Sequence, residues 1–353
     1  MSPPLAGVTV VELASLLPGP YCTAILRGLG ARVVKIEPPG GDQLRTMQAD
    51  MHELVNRGKE SVTLDLKADA DRAALDALLA HADVLVTSFR RATQRRLRID
   101  RETVGAAHPH LVHVALSGYS DDEDPRAGHD LNYLAEAGVL ELFGLGREAD
   151  HPILAVQTAD LSGALFAALA VVSRLFARAG GVPVSAGVVS LQDAVVALTR
   201  PRVAELLNRD PGRSVPDTIA KPGYGTFRCA DGRWVAIAAL EQPLWLALVS
   251  VVGLDRTAPA VTAMDYGQRL RAVREVNAAV ELAVAEVPSE LLLRADVATA
   301  IAASEVAPLD ARPLDLRIPG EPAVSLPPAP AAGADTARVL ASLAGVQPTG
   351  ARP

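Results

Sequence analysis

Cysteine is nearly absent: the 353-residue chain has two, Cys22 and Cys229, far apart and in no CxxC or Cys/His finger spacing. That excludes a disulfide scaffold and a zinc finger, and it predicts two buried thiols in a reducing compartment. The opening MSPPLAGVTVVEL lacks the basic region and cleavage pattern of a signal peptide. Long apolar runs are lacking as well. Pro243–Leu254 is too short to span a bilayer, and Gly163–Leu175 contains Arg174. The expectation is a soluble, cytoplasmic protein with no membrane partner. Positive charge is not in excess: Lys and Arg total 34 against 41 Asp and Glu, a net charge of −7. Such a chain is a poor nucleic-acid binder, although a local basic pocket can still take a phosphorylated ligand. A dinucleotide fingerprint is missing too. Where GxGxxG would follow the first strand, Pro18-Gly19-Pro20 stands instead.

What is present is a chain 49% hydrophobic and 21% charged, enough for a full core and incompatible with disorder. Strand-like runs at Val8–Leu13, Arg32–Glu37, Ser61–Leu66, Asp83–Phe89 and Leu111–Ser117 alternate with helical patterns at Pro18–Gly30 and Asp69–Ala80. Alternation of this length predicts an α/β fold with a parallel, doubly wound sheet. Long helices are expected at Asp160–Gly180 and Ser190–Asn208. Beyond them, Asp231-Gly232 between Tyr224–Cys229 and Arg233–Ala238 is a hairpin signal. Helices are expected at Gln242–Val252, Gln268–Ala285, Ser289–Arg294 and Asp335–Leu343, and Pro319–Gly333 reads as a Pro- and Ala-rich linker. The reading divides the chain into a large domain over 1–188, a linker helix over 189–217, a smaller α+β domain over 218–312, and a linker over 313–353 returning to the large domain.

Three places can carry chemistry. His129, in Gly128-His129-Asp130-Leu131-Asn132-Tyr133, follows a polar loop that begins where the fifth strand ends, the usual ligand side of such a sheet. It can act as a general acid or base, or simply stand at a helix start with Asp130 in the first turn. Asp160 opens the long apolar helix. It reads either as an N-cap accepting from Ser162 or Gly163, or as a carboxylate working beside helix N–H groups that hold an oxyanion. Glu241 follows an apolar strand and reads as a first-turn acid. His108, His110 and His113 have a metal-like spacing, but they straddle a turn and lack a local carboxylate, so no metal is expected. Arg90, Arg91, Arg95 and Arg96 form either a solvated helix face or a phosphate clamp.

These residues together resemble the family III CoA-transferases, the CaiB/BaiF family, with the nearest likeness to its α-methylacyl-CoA racemase branch. The segments that carry the resemblance are LAGVTVVELASLLPGPYCTAIL, LGARVVKIEPPGG, NRGKESVTLDLK, ADVLVTSFRRATQRRL, HLVHVALSGY, AGHDLNYLAEAGVL and YGTFRCADGRWVAIAALEQPLW. The AGHDxNY segment marks the racemase branch. The resemblance implies an interlocked homodimer in which each chain has a Rossmann-like large domain and a small domain. It implies a site formed by the large domain of one chain and the small domain of the other. His129 and Asp160 fall on the catalytic pair, and Glu241 falls on the residue that orients the histidine. Thr63, Asp65, Leu66, Ser88, Phe89, Arg90, Arg96, Gly128, Asp130, Asn132 and Tyr133 fall on stretches that contact CoA. Pro38 stands where the racemases carry a phosphate-binding arginine. The implied substrate is an acyl-CoA or another acyl thioester, with no cofactor beyond its CoA moiety. The implied reaction inverts the carbon next to the thioester carbonyl by proton transfer through an enolate. The alternatives are CoA transfer through an aspartyl intermediate at Asp160, or a catalytically dead member serving as a binding protein.

Overall fold

The computed structural model describes residues 2–142, 156–207, 209–308, 318, 320 and 325–343. Two compact units divide it. The first comprises residues 1–140, 146–200 and 313–353, and the second 141–145 and 201–312.

The first unit is built on strands β1 (Thr9–Leu13), β2 (Arg32–Glu37), β3 (Glu60–Thr63), β4 (Val84–Thr87), β5 (Val112–Ser117) and β6 (Gly187–Ser190). They form one six-stranded sheet in the order β3-β2-β1-β4-β5-β6, every pairing parallel. Parallel strands need helical crossovers on both faces, so their side chains are buried on both sides. The alternation is visible residue by residue. Val10, Val33, Val84, Val86, Val112 and Val114 face one layer, while Val11, Val34, Ile36, Val62 and Leu85 face the other. Against the first layer pack α1 (Pro18–Gly28) and a long helix at Thr158–Ala179. Against the second packs Asp69–His81, through Leu75, Leu78 and Leu79.

The helices up to residue 204 are numbered α2 (Leu44–Met47), α3 (Ala49–Asn56), α4 (Asp69–His81), α5 (Arg91–Arg96), α6 (Arg101–Ala107), α7 (Asp130–Glu136), α8 (Val139–Leu142), α9 (Thr158–Ala179) and α10 (Leu191–Ala204), of which α8 and α10 run on into the residues of the second unit. Pro18 at the first helical position pre-sets φ for α1. By length and composition α9 alone, among the described residues, could cross a membrane. Its Gly163, Ala164, Ala167, Ala168 and Val171 are buried against α1 and β5, the placing of a core helix. At Gly163 a Cβ would lie 2.1 Å from Leu191 Cδ2, so any larger residue would have to displace that buried side chain.

In the second unit α11 (Val215–Ile219) precedes the hairpin β7 (Tyr224–Arg228) and β8 (Trp234–Ala238), which turns at Gly232 with φ +81. Then come α12 (Gln242–Val252), α13 (Leu254–Thr257), α14 (Pro259–Thr262), α15 (Tyr266–Arg271), α16 (Val273–Val284), α17 (Ser289–Leu293), α18 (Ala295–Ile301) and the short β9 (Ala303–Glu305). Trp245, Leu248, Val276, Val280, Val284 and Ile301 form its core. The single helix expected over 268–285 is two. Asp265 caps α15 by accepting from Gln268 N–H at 2.7 Å, and Ala272 leaves the helical region before α16 starts.

The Pro- and Ala-rich stretch is not a free linker where the structure describes it. Proline supplies carbonyls without N–H groups, and those carbonyls accept from the first unit's own groups. Leu326 O takes Arg57, Pro327 O takes Gly58 N–H, and Pro330 O takes Arg45, at 2.9–3.0 Å. Asp335 then exchanges bonds with Ser61, and α19 (Thr336–Leu343) packs on α4 and β3. The free edge of the sheet is thereby covered.

Candidate active site

The chain leaves β1, β4 and β5 at one end of the sheet, and β1 and β4 are the pair between which the strand order reverses. A crevice forms there because the crossovers on either side run in opposite directions. It holds a cavity of about 580 Å³ lined by Ser15–Pro18 after β1, Ser88–Arg91 after β4 and Ser117–Tyr119 after β5, with His129, Tyr133 and Asp160. Leu44, Met47 and Met51 make one wall apolar.

The turn after β1 is the most constrained part. Leu16 adopts φ +61, unusual for a residue with a Cβ. A buried charge network holds the flanking backbone. Lys35 Nζ donates to Ala14 O at 2.9 Å and pairs with Glu12 at 2.7 Å and Asp42 at 2.8 Å. Lys59 Nζ pairs with the other Glu12 oxygen at 2.8 Å and donates to Thr23 Oγ1 and Asn56 Oδ1. Burial alone would push Glu12 up, but the two ammonium groups hold its carboxyl down at about 2. Burial takes Lys59 down to about 8 and, with Glu12 nearby, pushes Cys22 up to about 12. Cys22 and Cys229 are both free and buried.

His129 occupies the N-cap position of α7, with φ −131 and ψ 176, and is exposed at the cavity. Its backbone N–H donates to Asn132 Oδ1 at 3.0 Å. The two carbonyls before it are also held, Ala127 O by the Tyr119 hydroxyl at 3.2 Å and Gly128 O by the Tyr133 hydroxyl at 2.6 Å. The two rings meet edge to face at 5.2 Å. Gly118 and Gly128 leave room for them, since Cβ atoms there would lie 2.5 and 2.7 Å from the tyrosine hydroxyl oxygens.

Asp160 is the third residue of α9, not its N-cap; Gln157 stands at that position. The reason is Asp130. Its Oδ1 accepts from Ala159 N–H at 2.7 Å and from Asp160 N–H at 3.0 Å, so the helix start is capped from another element. Those two amides are therefore not free to hold an enolate oxygen, contrary to the expectation for this helix. Burial, and then the Asp130 charge, push the Asp160 carboxyl up to about 7. Burial also raises Asp130, against the pull of its two backbone donors.

The arginine cluster divides. Arg91 is buried and ion-paired to Glu102 and Glu123, and Arg95 pairs with Glu123. Neither is free for a phosphate. Arg90 lines the cavity with a long 3.4 Å contact to Pro125 O, and Arg96 is exposed with no partner among the described residues. Arg101–Asp122 at 2.6 Å adds another tether from α6 to the loop that leads to His129.

Of the other expected residues, Ser88 and Phe89 line the cavity, and Ser88 Oγ accepts from Ser15 N–H at 3.3 Å. Thr63 ends β3, and Asp65 and Leu66 follow it; none of the three lines the cavity. Thr63 N–H is taken by Thr336 Oγ1 at 3.0 Å, and Asp65 makes local turn bonds. Glu241 belongs to the second unit, where it holds the N-cap position of α12, one place before the expected first turn, and makes no cap bond. His113 is buried in β5 with Nε2 3.4 Å from Thr87 Oγ1, and burial drives it down to about 4. No group of three metal-binding side chains occurs among the described residues. Sequence reasoning missed Tyr119, Arg126 and Gln157 at the cavity; the signal available for the first was its place just past the C-terminal end of β5.

Comparisons with known proteins identify relatives of the chain. The chain is 34% identical over 256 residues to the human alpha-methylacyl-CoA racemase, covering 71% of this chain and 65% of that protein. The chain thus spans less than two thirds of that relative's length. It is 29% identical over 298 residues to the acetyl-CoA:oxalate CoA-transferase of Acetobacter aceti, covering 81% and 76%. Among solved structures, the Rv3272 protein of Mycobacterium tuberculosis superposes with a TM-score of 0.78 at 26% identity, covering 95% of this chain and 99% of that one. A CAIB/BAIF family protein from Brucella suis gives a TM-score of 0.76 at 24% identity, covering 97% and 100%, a likeness of fold. The model of CoA-transferase family III matches residues 5–313, and the chain belongs to that family.

Proposed function

We propose that the chain inverts the carbon next to the carbonyl of a 2-methylacyl or other 2-substituted acyl thioester. The thioester acidifies that carbon's proton. One group removes it to give an enolate, and a second group returns a proton to the opposite face. The observation that carries the reading is the pair His129 and Asp160 in one cavity, with Asp160 pushed up to about 7. A carboxyl there is populated both protonated and ionised near neutral pH, as a group serving as base in one direction and acid in the other must be. Glu241 falls, by the resemblance, on the residue that orients the histidine, a role this proposal assigns to a second copy of the chain. Arg90 and Arg96, with no carboxylate partner among the described residues, are the candidates for the CoA phosphates.

The second reading is CoA transfer, favoured by the likeness to the Acetobacter aceti transferase. There Asp160 attacks the thioester carbonyl, CoA leaves as thiolate, and CoA then re-attacks the mixed anhydride to give an aspartyl–CoA thioester and a free acid. The deciding experiment follows α-proton exchange of a 2-methylacyl-CoA in D2O, with and without an acceptor acid. Racemisation needs both groups, so His129→Ala and Asp160→Ala should each abolish inversion by about 10²–10⁴-fold, while each leaves exchange of one enantiomer. A hydroxylamine-trapped adduct on Asp160, with full turnover in His129→Ala, overturns the isomerase in favour of the transferase.

A further inference from the structure

Asp130 has no part in the chemistry just described, yet it joins the two groups that do. It follows His129 in the chain, and its Oδ1 receives the N–H of Asp160 itself at 3.0 Å and that of Ala159 at 2.7 Å. The side chain is half-buried and does not line the cavity. One carboxylate thus ties the first turn of α7 to the first turn of α9. We propose that Asp130 is a positioning residue for Asp160, fixing its distance from His129 and holding a negative charge beside it.

The charge matters because, among the described residues, little else faces Asp160. The packed elements are α1, α7, β5 and β6. From α1 come Tyr21, the buried thiol Cys22 and Arg27, the last bonded to Gly58 O at 2.7 Å. From α7 come His129, Asp130, Tyr133 and Glu136, the last paired with Arg126. From β5 comes His113, which faces Thr87, and β6 offers no titratable group. On α9 itself, Arg174 and Arg178 stand near the other end, bonded to Ser185 O and to Asp83. Arg90 and Arg126 line the cavity. After burial, Asp130 is the one neighbour among the described residues that raises the Asp160 carboxyl. The uncharged acceptor of an asparagine would keep both backbone bonds while removing the charge, so the two parts of the role can be separated.

The inference rests on the reading of Asp160 as a proton-transfer group, and its test does not. In the full-length chain labelled with ¹³C at the aspartate carboxyls, the Asp160 resonance is assigned by its loss in Asp160→Asn and titrated in wild type, Asp130→Asn and Asp130→Ala. Asp130→Ser, whose hydroxyl also accepts, replaces the asparagine variant if that chain does not fold. The expected midpoint falls by about one pH unit in Asp130→Asn. The acid limb of α-proton exchange should move with it, and Asp130→Ala should lose about ten-fold or more in rate beyond that shift. An unmoved Asp160 midpoint in Asp130→Asn overturns the electrostatic role, and wild-type rates in Asp130→Ala overturn the positioning role. Wild type that exchanges no 2-methylacyl-CoA overturns the proposed function instead, and the carboxyl titration then still decides the role of Asp130.

Discussion

Glu12 and Asp160 belong to the same unit and titrate at opposite ends of the carboxylate range. Glu12 sits between two buried ammonium groups that hold it at about 2, below its ordinary 4.5. Its contribution to stability is present above about pH 4.5 and is lost as pH falls toward 2. Glu12→Gln leaves Lys35 and Lys59 without their shared counter-ion. It should cost about 3–5 kcal/mol at pH 7 in denaturant unfolding, with the difference shrinking below pH 4. Asp160 has the reverse sign. Raised from 3.8 to about 7, it binds a proton more tightly folded than unfolded, so stability falls as pH rises across that window. Asp160→Asn should therefore raise Tm by a few degrees at pH 8, with the gain disappearing near pH 4; an equal gain at both pH values counts against a raised carboxyl. His129, beyond the end of β5, and Asp160 stand out in the sequence as helix-start residues, but their pairing comes from the resemblance; the structure adds that both line one cavity. The bond from Asp130 to Asp160 was not, since it joins residues 30 positions apart.

At the scale of elements, the strands β1, β2, β4 and β5 and the helices α1, α4, α9 and α12 were legible. Each is a run of apolar residues closed by a turn or cap. β6 was not, because Gly187–Ser190 is four residues merging directly into α10. The break between α15 and α16 falls at an alanine, which carries no signal of its own. The Pro- and Ala-rich stretch looked like a linker because its composition has no apolar period. What holds it are carbonyls, and those are invisible in composition. Asp335 marks where this segment docks, accepting from Ser61 N–H at 3.0 Å while its own N–H goes to Ser61 O at 2.9 Å. Asp335→Ala removes the side-chain bond and should cost about 1–2 kcal/mol, with faster amide exchange confined to β3 and α19. Uniform loss of protection across the sheet would argue that the segment is not a separate docking element.

For the whole molecule, assembly turns on the exposed apolar side chains of α9 and α10. α9 exposes Leu165, Phe166, Leu169 and Phe176, and α10 exposes Leu198. Such a run of large apolar side chains marks an interaction surface, and the interlocked homodimer implied by the resemblance is the occupant we expect. Sedimentation at micromolar concentration should give twice the chain mass, and Leu169→Glu together with Phe176→Glu should weaken it. A wild-type monomer under those conditions overturns the dimer.

The carbonyl-bearing segment that covers β3 also sets an order of events during synthesis. Ser61 emerges from the ribosome long before its partner Asp335, which lies 274 positions later. All six strands are made by residue 190, so for most of that interval the nascent sheet is complete in strands but has β3 as a bare edge. Domains fold as units while the chain is still being made. For this chain the outermost strand therefore waits, unpaired on one side, for nearly the whole of translation, and a ribosome that stalls before residue 325 leaves behind a sheet with a templating edge rather than a finished unit.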